Sequence, residues 1–204
     1  MGPPNLLIST IALTHEAIGA PPGFSPDSLR SLLRSPLHLY PDSDGIRVVS
    51  ARDQLEVALS APKTEISDLS GFVQNGSVKL STHLDNLWQM VGSPALSTYE
   101  IGFVLEVYGG EQEDIAQWLG QRFLRPGLQG DEAESVSSPI VSFSYARGAK
   151  SQGIEMQVDT PSRLLIRYTA SESASAVPEP GLILAEVNSE YDNLVDFLKR
   201  VGFE

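Results

Sequence analysis

The second half of this chain repeats the first, in element order and in short stretches of sequence, and a chain of that kind is constrained to fold as two similar units. Leu55-Glu56-Val57-Ala58-Leu59-Ser60-Ala61-Pro62 is echoed by Ile154-Glu155-Met156-Gln157-Val158-Asp159-Thr160-Pro161, with Ala51-Arg52 before the one and Ala146-Arg147 before the other. Later, Thr82-His83-Leu84-Asp85-Asn86-Leu87 answers Ser189-Glu190-Tyr191-Asp192-Asn193-Leu194, in the same order relative to the first echo. Two ordered matches imply an internal duplication about an approximate twofold axis. The first unit is expected to be residues 1-93 and the second 94-204, packed as one pseudo-symmetric globule.

Local pattern gives each unit the same succession of elements. In the first, residues 6-13 have strand length and β-branched content, and Ser25-Pro26-Asp27 offers a helix start that Pro36 ends. Strands are expected at 46-50, 55-59, 63-68 and 77-80, the last after the turn signal Asn75-Gly76, before a helix through Leu84, Leu87, Trp88 and Val91. In the second unit, residues 99-108 read as a strand, and Ile115, Trp118, Leu119, Arg122 and Phe123 recur at helical spacing. Strands are expected at 140-145, 154-158, 163-169 and 182-187, with a connector at 171-181 and a closing helix from 190 to 201. Thr82 to Asp85 and Ser189 to Asp192 each match a capping box, which assigns the repeated Asp-Asn pair to helix starts rather than to chemistry.

Each unit therefore reads strand, helix, three or four strands, helix. The fold class is α+β: a tandem pseudo-twofold repeat forming a curved antiparallel sheet with helices on one face. In element order the chain resembles the TATA-binding-protein-like fold, which also consists of two such repeats. The resemblance is one of topology over most of the chain. The paired βαβββ units of glyoxalase-like proteins are similar in order too, but do not need the extra strand and helix that close each copy.

Composition narrows the function classes. The chain of 204 residues carries 14 Lys and Arg against 26 Asp and Glu, a formal charge of -12. Affinity for a phosphate backbone comes chiefly from basic side chains, so the expectation is no nucleic-acid partner. With no cysteine, thiol catalysis and cysteine metal sites are excluded. No signal peptide, spanning segment or lipidation motif is read, and a cytoplasmic location with no membrane partner is expected. His15, His38 and His83 lack a second histidine at ligand spacing. A glyoxalase-like site would have to combine His15 with Glu106 or Glu155, and no metal and no cofactor are expected. Neither a nucleophile elbow nor a Gly-rich phosphate loop is present.

The remaining candidate residues sit on strands. Glu56 and Glu155 occupy equivalent places among alternating apolar residues, which puts both on the outer sheet face and would allow paired carboxylates near the pseudo-twofold axis. Arg52 and Arg147 lie near strand turns, where they could clamp an anion. Glu106, Tyr108 and Arg167 complete the candidate binding set, since aromatic groups among polar ones suit a protein contact. The functional expectation is a non-enzymatic protein-binding or self-assembling module. It would use its open sheet face and flexible loops at 14-24, 125-138 and 171-181 to bind another protein or itself, as a possible homo-oligomer. The alternative is a small-molecule-binding protein or glyoxalase-like enzyme with a site between the units.

Overall fold

The computed structural model describes residues 2-16, 37-42, 45-60, 62-110, 114-123 and 140-203, and the expected helix at 25-36 and loop at 125-138 lie outside them. Alternation of apolar and polar residues along the strands gives one antiparallel sheet with one buried face and one that no described helix covers. Its strands are β1 (Asn5–His15), β2 (Leu37–Asp42), β3 (Gly45–Ser50), β4 (Leu55–Ser60), β5 (Lys63–Asp68), β6 (Leu96–Tyr108), β7 (Ile140–Arg147), β8 (Lys150–Thr160) and β9 (Arg163–Ser173). They lie in the order β2-β3-β4-β5-β1-β6-β9-β8-β7. The class is α+β.

The described helices are α1 (Val73–Met90), α2 (Ile115–Phe123) and α3 (Pro180–Val201). Leu80, Leu84 and Leu87 of α1 and Ile183, Val187, Leu194 and Leu198 of α3 form buried stripes at helical spacing. Opposite them lie the inward residues of the central strands, Ile11, Leu13, Ile101, Phe103, Leu105 and Ile166, all essentially inaccessible. Aromatic contacts fasten α2: Trp118 meets Phe203 at 5.0 Å, and Phe123 meets Phe143 of β7 at 5.3 Å.

Strand register places the first sequence echo with some exactness. Leu55 pairs with Asp68, Asp68 with Ser9, Ser9 with Phe103, Phe103 with Tyr168, and Tyr168 with Ile154. The two residues that head the echoed segments thus lie on one transverse row, each the same number of strands from the central β1-β6 pair. The second echo is placed in the same way. Thr82 is the tenth residue of α1 and Ser189 the tenth of α3.

Several sequence expectations fail here for identifiable reasons. Residues 77-80 are not a strand but part of α1, because Gly76 is not a turn residue. A Cβ at this position would stand 2.9 Å from Asp68 Oδ2, so the helix uses glycine to pass close to a buried carboxylate. Residues 182-187 are likewise helical. Pro180 starts α3, where its missing N–H costs nothing, and Ile183, Val187 and Leu194 continue one apolar stripe. The connector expected at 171-181 shortens, since β9 runs to Ser173. The capping boxes fall with these boundaries: Thr82 and Ser189 lie mid-helix, Thr82 Oγ1 donates to the Val78 carbonyl at 2.7 Å, and Asp85 accepts from Gln89 Nε2 at 2.9 Å. No helix among the described residues is long and apolar enough to cross a membrane.

Candidate functional site: the uncovered sheet face and a polar cluster beneath the last helix

Among the described residues all three helices lie on one side of the sheet, and the alternate residues of every strand point to the other. Across the middle of that open face runs a second transverse row. Ser67 pairs with Thr10, Thr10 with Gly102, Gly102 with Thr169, Thr169 with Gly153, and Gly153 with Ser144. These side chains are small, so the centre of the face is shallow. Gly102 is the informative member: a Cβ built there meets only the Tyr168 carbonyl oxygen at 3.5 Å and Thr10 Cβ at 3.7 Å, ordinary contacts. Glycine within a strand weakens it by about 0.5–1 kcal/mol relative to alanine, and none of the described residues around it requires it at this position.

Charged residues lie on the same face beyond the row, paired across strands or, for Lys63 and Glu65, along one strand. Arg167 Nη1 donates to Glu155 Oε1 at 2.9 Å and to Gln157 Oε1 at 3.0 Å. Glu106, nearly buried, accepts from Asn5 Nδ2 at 3.1 Å, Tyr108 OH at 3.0 Å and Arg163 Nε at 3.0 Å. Burial alone would raise the Glu106 pKa, but the hydrogen bonds from Asn5 and Tyr108 and the Arg163 guanidinium outweigh it, and the net shift is downward. On the first half, Arg47 Nε stands 3.4 Å from Glu56 Oε1 and Lys63 Nζ 2.9 Å from Glu65 Oε2.

The structure brings some of the sequence-derived candidates together and separates others. Glu106 and Tyr108 share one hydrogen-bonded group, and Glu155 and Arg167 share an ion pair. Glu56 and Glu155 are not paired carboxylates. They lie on β4 and β8, five strand spacings apart, or about 24 Å at the usual separation. Arg52 and Arg147 are both exposed, at the β3–β4 turn and the end of β7. The His15 combination fails as well. His15 lies on the helix-covered side, where Nδ1–H donates to the Glu16 carbonyl at 2.8 Å and Nε2 accepts from Thr64 Oγ1 at 3.0 Å, whereas Glu106 and Glu155 are on the opposite face. Of the loop at 14-24, only residues up to Glu16 are described, and Thr14 and His15 belong to β1.

A second polar group, under α3, was not anticipated. Glu190 of α3 is 6% exposed. Its Oε2 accepts from Tyr168 OH at 2.6 Å and Gln152 Nε2 at 2.8 Å, and its Oε1 from Lys150 Nζ at 3.2 Å. Lys150 also reaches Glu186 Oε1 at 3.2 Å. Burial would lower the Lys150 pKa, but hydrogen bonds to Glu190 and Glu186 reverse this and hold it above its ordinary value. Burial, followed by Glu190, pushes the Tyr168 hydroxyl up, and burial with Glu186 and Glu172 does the same to Tyr99. One signal was present in the sequence: Glu190 continues the Ile183, Val187 and Leu194 stripe, so its carboxylate had to enter the buried layer. The strand misreading at 182-187 hid it.

No protein-family model and no curated protein matches the chain. Among solved structures, the TBP of Methanococcus jannaschii matches over 97% of this chain and 99% of its own, at 7% identity and a TM-score of 0.38. The expectation of no nucleic-acid partner is withdrawn as a correction in view of this match to a TBP. Net charge is a sum over the whole molecule and does not fix the field on any one face.

Proposed function

We propose that this protein is a non-enzymatic binding module that docks another protein chain across the middle of its uncovered sheet face. The observation that carries the reading is Gly102. It sits mid-strand in the small-residue row, where alanine would fit and would strengthen the strand, so its retention is explained by something that approaches from outside. The paired charges on either side form a polar rim around a shallow centre, an arrangement common to protein contacts.

The same reading takes the chain as a duplicated unit, residues 1-93 and 94-204, with β1 equivalent to β6, β4 to β8 and α1 to α3. Support comes from the transverse row that holds both Leu55 and Ile154, and from the matched places of Thr82 and Ser189 in their helices. On this account the Ser67-to-Ser144 row crosses both halves of the sheet, and one partner segment engages both.

Site-specific photo-crosslinking in the native cell tests the docking surface. A crosslinker at Thr169 or Ser144 should capture a defined protein, while one at Asp196 on the exposed side of α3 should not. Capture only from Asp196 would move the interface to the helix layer. Capture of duplex DNA from Thr169 would replace protein by nucleic acid as the occupant.

A further inference from the structure

The polar group under α3 has atoms left over. Gln152 is 1% exposed, and its Nε2 is committed to Glu190 and Tyr168, which fixes the amide orientation, since a flipped amide would set its oxygen against a carboxylate. Its Oε1 has no hydrogen-bond partner among the described residues, and neither has Glu186 Oε2 or Tyr99 OH. A buried polar atom without a partner is costly, and two such atoms on one hydrogen-bonded group, with the Tyr99 hydroxyl within electrostatic reach of Glu186, call for an occupant. Two of the three can only accept. Charge points the same way: Glu186 and Glu190 share Lys150, Glu172, the register partner of Tyr99, adds a third carboxylate, and Arg147, whose charge reaches Tyr145 and Tyr168, adds a second cation, so the carboxylates still outnumber the cations.

From these atoms we infer that the end of the β6-β9-β8 layer beneath α3 is a binding site for a small organic cation with a protonated primary amine. The ammonium would donate to Gln152 Oε1 and Glu186 Oε2 and rest near the hydroxyl of Tyr99. Aromatic side chains flank the place: Tyr168 is hydrogen-bonded into the group, and Tyr145 is the register partner of Gln152 and half-exposed at the rim. Aromatic rings attract organic cations through their negative faces. A divalent metal ion fits less well, since calcium and magnesium take six or more oxygen ligands and no three carboxylates or imidazoles among the described residues are placed to hold one. Glu186 and Lys150 keep 29% and 20% of their side-chain surface, which leaves the group reachable from solvent. The site is on the helix side of the sheet, so it stands or falls independently of docking on the open face.

Titration of the full chain with methylammonium and cadaverine, followed by NMR of the Gln152 side-chain amide, tests the assignment. Tetramethylammonium and potassium serve as cations that cannot donate a hydrogen bond. Saturable shifts with the primary amines are expected, at least tenfold weaker with tetramethylammonium and potassium. Glu186→Gln, at the solvent-facing rim, should weaken the amine at least tenfold while its melting temperature stays near that of the parent. A second variant, Tyr145→Leu, should weaken it several-fold through loss of the ring. Shifts equal for all four cations, affinity unchanged in both variants, or no saturable shift with any amine would overturn the proposal and leave ordered water as the occupant.

Discussion

Gly76→Ala tests how the first helix is seated. In an exposed helix interior, replacing glycine by alanine stabilises by about 1 kcal/mol. Gly76 is buried in α1, and the new methyl would lie 2.9 Å from Asp68 Oδ2 and 3.3 Å from Asp68 Cβ and Cγ. Asp68 cannot yield cheaply. It is fully buried, its Oδ1 accepts from Lys79 Nζ at 2.8 Å, and its Oδ2 accepts from the Ser70 backbone N–H at 3.2 Å and from the Ser70 hydroxyl. Breaking a fully buried ion pair by removing one partner costs about 3–5 kcal/mol, and Lys79 is partly exposed, so displacement of the carboxylate should cost somewhat less. Set against the helix-propensity gain, the net destabilisation should be about 1–3 kcal/mol. For a chain of this length that lowers the melting temperature by roughly 2–12 °C. Thermal and urea denaturation of the parent, Gly76→Ala, Asp68→Ala and the double variant would read both the cost and its origin. The cycle should show coupling of at least about 1 kcal/mol. A Gly76→Ala protein that melts higher than the parent, or additivity in the double variant, would refute the close-approach argument.

Two further predictions concern charged groups. The Glu106 pKa lies below its ordinary value of 4.5, so its stabilising contribution is complete above that value and is lost as pH falls through the lower folded value. Glu106→Gln should therefore be less stable than the parent at neutral pH, with the gap closing in acid. A gap that stays constant from neutral pH to about pH 3 would show that the Asn5, Tyr108 and Arg163 contacts do not favour the ionised form. Asp85→Ala and Asp192→Ala should each change stability by under about 0.5 kcal/mol, the usual range for exposed positions away from caps. Losses of about 1 kcal/mol or more in urea denaturation would restore the capping role that the helix boundaries remove.

Much of the sheet was legible because strand alternation is a local signal. The pattern from Tyr99 to Tyr108 and that from Ile154 to Val158 each declare their buried face within a few residues. Helix starts were harder. Asn75-Gly76 has turn chemistry, and only the tertiary approach of Asp68, eight residues away across the β5–α1 connection, explains glycine inside a helix there. Similarly, 182-187 is apolar enough for a buried strand, and its helical period emerges only when Leu194 and Leu198 are read with it. Among candidate residues, the facing of Glu106, Glu155 and Arg167 followed from alternation, but their partners did not. Glu106 meets Arg163 and Asn5 through strand register, which short-range pattern does not encode. The separation of Glu56 from Glu155 has the same cause: the two strands that carry them lie on opposite sides of the central β1-β6 pair, an order that the strands' own sequences do not encode.

The most direct test of docking on the open face is to give Gly102 a side chain and read stability and partner capture together. Gly102→Ala should leave the melting temperature unchanged or raise it, because among the described residues the Cβ meets nothing closer than 3.5 Å. Gly102→Leu projects further from the same place into the shallow row. Crosslinking from Thr169 should fall in the alanine variant and be lost in the leucine variant, with the fold intact by circular dichroism in both. Undiminished capture by a folded Gly102→Leu protein would contradict the account.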